Sequence, residues 1–260
     1  MTSLTIAASA GVACITLARP DVRNAFDDAL IAELDAAFRT LGARRDIRAI
    51  VLAAEGPAFC AGADLHWMRR MAGYSRGENI ADAGKLAAML RTIAECPRPT
   101  VARVQGDVYA GGMGLVAACD MAVSVDTAWF CLSEARIGLV PATISPYVLR
   151  AMGARAAQRY FLTAERFTAA EAHRIGFVHE VVAADALDAT VDALLKALTG
   201  AGPAAVTACK QLIANVNGRP IDDALVARTV EGIADIRASD EGREGVQAFL
   251  QKRKPAWLAS

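Results

Sequence analysis

Two short stretches of the 260-residue chain carry almost no side-chain volume where a strand-like pattern gives way to a helix-like one. One is FCAGADLHWM, Phe59–Met68; the other is VYAGGMGLVAACD, Val108–Asp120. The first turn of a helix presents N–H groups without partners inside the helix, and the helix dipole adds partial positive charge there. Glycine and alanine leave those amides open to an approaching group. Two such amides aimed at one point bind a developing oxyanion, each donor worth about 2.7–4 kcal/mol. Close packing explains the same small residues, so the corners alone leave both readings open.

A third residue bears on this chemistry. Glu134 stands in AWFCLSEARIGLVPATISPYV between two apolar runs. Desolvation there raises the pKa of a carboxyl, which suits a group that gives and takes protons near neutrality. A structural ion pair with Arg136 is the alternative. The second corner also contains G-x-G-x-x-A from Gly112 to Ala117, with Glu134 at roughly the spacing of a ribose-binding acid. The context does not suit a dinucleotide fold. The preceding strand pattern ends near Val104 and leaves a loop where a tight turn is required, and Cys119-Asp120 cuts the helix short.

The elements that must hold these residues alternate. GVACITLARP reads as a strand stopped by Pro20, and a helix follows with Leu30, Leu34, Ala37, Phe38 and Leu41 on one face and Gly42 as its stop. IRAIVLAAEG and PTVARVQG read as strands, ENIADAGKLAAMLRTIAEC as an amphipathic helix between them. A short helix at 111–119, the strands MAVSV and AWFCL and a helix around 145–152 complete the pattern. Strands alternating with helices predict an α/β class, and two strands before many of the helices predict stacked ββα turns. From about residue 203 the pattern is helical throughout. The expected division is therefore a core over 1–202 and a helical segment over 203–260.

Composition narrows the partners. Twenty-eight Lys and Arg balance twenty-eight Asp and Glu, which removes any global drive toward nucleic acid or a membrane surface. No apolar run reaches membrane-spanning length, and the amino-terminal residues lack the pattern of a secretion signal. The six cysteines are scattered and only three histidines occur, so no metal site is expected and reduced thiols in the cytoplasm are.

Taken in order, RPDVRNAF, AFCAGADL, VYAGGMGLVAACD, FCLSEARIGLVPA and FLQKRKPAW resemble the conserved blocks of the crotonase (enoyl-CoA hydratase/isomerase) family over nearly the whole chain. The resemblance implies a spiral of ββα units with a helical carboxy-terminal region that drives trimerisation, as a homotrimer or a dimer of trimers. It implies an acyl-CoA thioester whose carbonyl oxygen sits between the amides of Ala63 and Gly111, with Glu134 as acid and base. CoA is then part of the substrate and no cofactor is needed. Substrate contacts fall to Arg23, Asn24, Ala25, Ala61, Asp64, Leu65, His66, Gly114 and Ala142. Lys252, Arg253 and Lys254 form a basic cluster for a neighbour's CoA phosphate, or a solvated helix end. Asp120 falls on a structural position; Ser145 and Tyr147 suit capping and packing.

The chain departs from the family at position 114, where typical hydratases carry a first glutamate and this one has Gly114. The missing side chain suggests room for a bulkier or carboxylated acyl chain, or for an extra water. Similarity to the bacterial methylglutaconyl-CoA-type branch favours hydration of a 2-enoyl-CoA by a single glutamate. Double-bond isomerisation with the same residues, or an acyl-CoA-binding member with weak chemistry, are the alternatives.

Overall fold

The computed structural model describes residues 3–258. A hairpin opens the chain, with β1 (Leu4–Ser9) antiparallel to β2 (Val12–Leu17). The helix α1 (Asp28–Ala43) follows, capped by the Asp27 side chain, which accepts from Leu30 N–H at 2.9 Å. Its buried stripe contains all five apolar residues that the spacing singles out. Gly42 does not stop this helix. It lies inside the last turn, where an added Cβ would meet Cys96 Sγ at 3.1 Å, so it is small because α1 packs there.

Three ββα turns come next. β3 (Ala49–Ala54) and β4 (Ala58–Cys60) lead to α2 (Leu65–Met71) and α3 (Arg76–Ala94); β5 (Thr100–Val104) and β6 (Asp107–Tyr109) lead to α4 (Gly111–Ala118). β7 (Met121–Val125) and β8 (Trp129–Cys131) lead, through a 3-10 turn at Glu134–Ile137, to α5 (Ser145–Thr163), which kinks at Gly153. β9 (Arg166–Thr168), α6 (Ala169–Arg174), β10 (Glu180–Val182) and α7 (Leu187–Gly200) close the core. Then α8 (Pro203–Val216), α9 (Asp223–Ala238) and α10 (Asp240–Leu250) follow, as the helical pattern predicts.

The first strand of each turn joins one sheet and the second joins another. The six-stranded sheet runs β1-β2-β3-β5-β7-β10 and the four-stranded one β4-β6-β8-β9. Within these, β3, β5 and β7 are parallel neighbours, and so are β4, β6 and β8. Every residue of β3 is buried, as expected of a strand covered on both faces. Phe59, Val108, Phe130 and Phe167 fill the core beneath the smaller sheet.

The stacked ββα architecture agrees with the sequence pattern. The segment between Val104 and Gly111 does not: it holds β6, where a loop was expected. A three-residue strand is too short to show a period of two, so β6 and β9 have no periodic signature; β8, equally short, is marked only by its apolar run.

Candidate active site

The carboxy ends of β4, β6 and β8 lie side by side because these strands are parallel neighbours. Ala63, Gly111 and Glu134 follow those three ends in turn. In open parallel sheets, ligands bind beyond the carboxy ends of strands.

At the first corner the chain turns through Gly62, whose φ is 92°. A Cβ on Gly62 would lie 2.9 Å from Ala110 Cβ and 3.6 Å from Gly111 N, so the two corners touch. Ala63 forms an isolated parallel bridge with Phe26: Phe26 N–H donates to Gly62 O and Asp64 N–H donates to Phe26 O, each at 2.9 Å. With the bonds on either side of it, Ala63 turns its own N–H away from Phe26. Asp64 then caps α2, accepting from His66 N–H at 2.8 Å and Trp67 N–H at 3.3 Å, and pairs with Arg19 at 3.2 Å. Burial works against the Asp64 charge, but those amides, together with Arg19 and His66, outweigh it and hold the carboxyl below its ordinary value.

At the second corner Ala110 takes φ 46°, ψ −122°, and α4 begins with Gly111. Gly111 must be glycine: a Cβ would stand 2.9 Å from Phe26 Cε1 and closer still to Cζ. Among the described residues, neither the Ala63 nor the Gly111 N–H donates to a backbone acceptor.

Glu134 opens the 3-10 turn beyond β8. Its Oε2 is buried and has no hydrogen-bond partner among the described residues. Burial pushes the carboxyl above the ordinary value of 4.5, opposed in smaller measure by a bond to its own backbone N–H. Arg136 is exposed, and no ion pair joins it to Glu134 among the described residues.

The sequence-predicted contact residues divide. Arg23 and Ala61 meet, Ala61 N–H donating to Arg23 O at 2.9 Å, and both line a cleft of 260 Å³ with Pro57, Ala58, Asp107 and Tyr109. Leu65 and His66 are exposed at the start of α2, and Ala142 is exposed beyond the 3-10 turn. Ala142 O accepts from Ser145 Oγ at 2.8 Å; Ser145 is the first residue of α5 and its side chain does not cap that helix, contrary to the capping expected of it.

The Asn24 side chain is fully buried and occupied: its Oδ1 accepts from Arg19 N–H, and its Nδ2 donates to Glu55 O and Ala58 O. The Asp64 side chain caps α2 and pairs with Arg19. One expectation, the room at position 114, is corrected. Gly114 borders no open space on its bare side, because Ile144 and Leu90 fill it. Ala25 O accepts from Arg19 Nη1 at 2.8 Å, which ties it to the same brace. In the basic tail cluster Arg253 pairs with Glu244.

Sequence reasoning gave no role to Arg19 or Phe26. Arg19 reaches Ala25 O, Asp27 and Asp64 and so ties the 19–27 loop to the first corner. Nothing about a lone arginine before Pro20 signals this. Phe26 lies within RPDVRNAF and packs between the corners, a position only coordinates reveal.

The parallel spiral brings three strand-end residues together, and the comparisons with known proteins say to which class such a frame belongs. A family model described as enoyl-CoA hydratase/isomerase matches residues 7–259. An enoyl-CoA hydratase structure from Shewanella pealeana is 41% identical with a TM-score of 0.96, covering 98% of this chain and 96% of that one. One from Mycobacterium smegmatis is 36% identical, TM-score 0.93, covering 99% and 100%. An enoyl-CoA hydratase of Alternaria alternata is 33% identical over 255 residues, 95% of this chain and 82% of that protein. The chain belongs to the enoyl-CoA hydratase/isomerase family and is an enzyme of that family.

Proposed function

We propose that this enzyme adds water to a 2-enoyl-CoA thioester, with a branched or carboxylated acyl chain of the methylglutaconyl-CoA type. The Ala63 and Gly111 amides bind the thioester oxygen. The Glu134 carboxylate removes a proton from water as the oxygen attacks C3. The C2–C3 π electrons move onto the thioester carbonyl, giving an enolate whose charge rests between the two amides. Glu134 then returns a proton to C2, and a 3-hydroxyacyl-CoA leaves. Two fixed donors in a dry site stabilise that charge without reorganising water.

The observation that carries this reading is the meeting of two corners, each with an amide free of a backbone acceptor, together with a carboxyl just beyond the neighbouring strand whose Oε2 is buried and unpartnered among the described residues. CoA enters as part of the substrate, and the reaction needs no further cofactor. The 203–260 segment serves assembly into a trimer or a dimer of trimers; exposed Ile213, Val230, Phe249 and Leu250 on its helices support that role.

One observation favours a second reading. With Ile144 filling the space at Gly114, a single carboxyl remains, and that is enough to move a proton from C4 to C2 and shift the double bond. Turnover of a panel of branched and carboxylated enoyl-CoA thioesters, with products identified by mass, separates the two. A product heavier by one water supports hydration; an unchanged mass with a shifted alkene supports isomerisation. CoA-ester binding with no turnover across the panel overturns both and leaves an acyl-CoA-binding protein.

A further inference from the structure

Phe26 touches both corners, and by different means. Its backbone N–H and C=O are bonded on either side of Ala63, to Gly62 O and from Asp64 N–H. Its ring lies against Gly111, so closely that no Cβ fits between them. The ring is 2% exposed and is backed by Trp67, whose centroid lies 6.0 Å away at 54°. Trp67 in turn belongs to α2, the helix capped by Asp64. Backbone fixes one amide and ring the other, so one residue gauges the gap between two donors. An apolar core needs no such arrangement. Phe38 in α1 is equally buried, and it is not among the nearest neighbours of a Cβ built on Gly62 or Gly111.

We propose that Phe26 is a positioning residue that sets the separation and aim of the Ala63 and Gly111 N–H groups. This rests on the reading of those amides as donors to the thioester oxygen. Hydrogen-bond strength falls steeply with distance and angle, and a misplacement of about 1 Å can cost 100-fold in rate. A side chain that changes only the depth of the ring should therefore act on the transition state more than on CoA-ester binding.

The test uses the intact enzyme and an arylacryloyl-CoA, a conjugated thioester whose absorption moves to longer wavelength when its carbonyl oxygen accepts hydrogen bonds. Phe26→Leu removes the ring edge beneath Gly111, and Phe26→Tyr pushes an oxygen toward it. Both are expected to lose about 10- to 100-fold in kcat on the best enoyl-CoA substrate with KM little changed, and to lose most of the red shift. Gly111→Ala should cost far less in the Phe26→Leu background than alone, because the ring atoms that exclude its Cβ are gone. Phe38→Leu, a core change of similar size, should keep both the shift and kcat. The proposal fails if the Phe26 variants keep the full shift, or if Phe38→Leu loses as much of it at an equal loss of melting temperature. If the wild-type enzyme gives no shift with the bound probe, the reading of the amides fails and takes the role of Phe26 with it.

Discussion

Ile144, at the entrance to α5, rests against the bare Cα of Gly114 in α4: a Cβ built on Gly114 would stand 2.8 Å from Ile144 Cβ and nearer still to its Cγ2, with Leu90 Cδ2 at 3.4 Å. The absent side chain is thus matched by a neighbour's presence. Gly114→Glu is expected to lose about 1–3 kcal/mol through overpacking and to gain no activity. In Gly114→Glu with Ile144→Ala the loss of stability should shrink, as thermal denaturation would register. Equal melting temperatures for the single and double variants would show that Ile144 is not the obstacle.

Burial of Glu134 couples the acid to folding. Its pKa is raised in the folded chain, so the protonated form is the one the fold favours. The stability this gives is complete below the unfolded pKa of about 4.5 and is lost as pH rises through the higher folded value. Glu134→Gln cannot ionise and escapes that loss. It should melt above the wild type at about pH 8 and converge with it toward about pH 4, while turnover falls by orders of magnitude. A Gln variant that melts no higher at alkaline pH would contradict the assigned burial.

Asp64 separates capping from charge. Asp64→Asn keeps an oxygen for the His66 and Trp67 amides but loses the pair with Arg19; Asp64→Ala loses both. The Ala variant should cost about 1–2 kcal/mol for the cap alone, with the Asn variant between it and wild type. Both should lower turnover, because Ala63 precedes the residue they disturb. Urea unfolding and initial rates measure the two effects separately.

Ala110 sits at φ 46°, ψ −122°, a conformation that costs an L-residue about 1–2 kcal/mol and glycine almost nothing. Ala110→Gly should therefore raise the melting temperature even though glycine loses more entropy on folding. A lower melting temperature would mean that Ala110 Cβ contributes more by packing on Gly62 than the backbone loses.

Lys210 anchors α8 to the core. Its Nζ donates to Asp120 Oδ2 at 2.7 Å, the same oxygen that accepts from Thr100 N–H at 2.8 Å and Thr100 Oγ1 at 3.0 Å. Lys210→Met keeps the apolar stem and removes the charge. It should cost about 1.5–3 kcal/mol and speed proteolysis of the chain near Gly202. Unchanged cleavage would place the anchor elsewhere, for example in the Thr207 bond to Pro97 O.

Much of this site is legible in the sequence because its chemistry is local. Gly62 and Gly111 stand where strands turn into helices, and the apolar flanks of Glu134 announce its burial. The stripe from Leu30 to Leu41 is local as well. What escapes is what joins distant segments. Ile144 meets Gly114 across thirty residues, Arg19 meets Asp64 across forty-five, and neither pair has a periodic signature. Asn24 and Asp64 carry polar side chains beside the first corner, and the sequence does not show which partners those side chains take. Buried polar atoms must find partners, and these found them in the backbone and in Arg19.

The parallel neighbourhood of β4, β6 and β8 hangs the proposed anion cradle and the proposed proton carrier from separate strands, like rungs of one ladder. The cradle hangs from the first two rungs and is written in main chain, braced by the Phe26 ring. The carrier hangs from the third rung and is a single replaceable side chain. If the proposed roles hold, a redesign that keeps Phe26 and residues 60–64 and 110–111 and rewrites only 132–142 should still bind an acyl-CoA thioester while changing what is done to it.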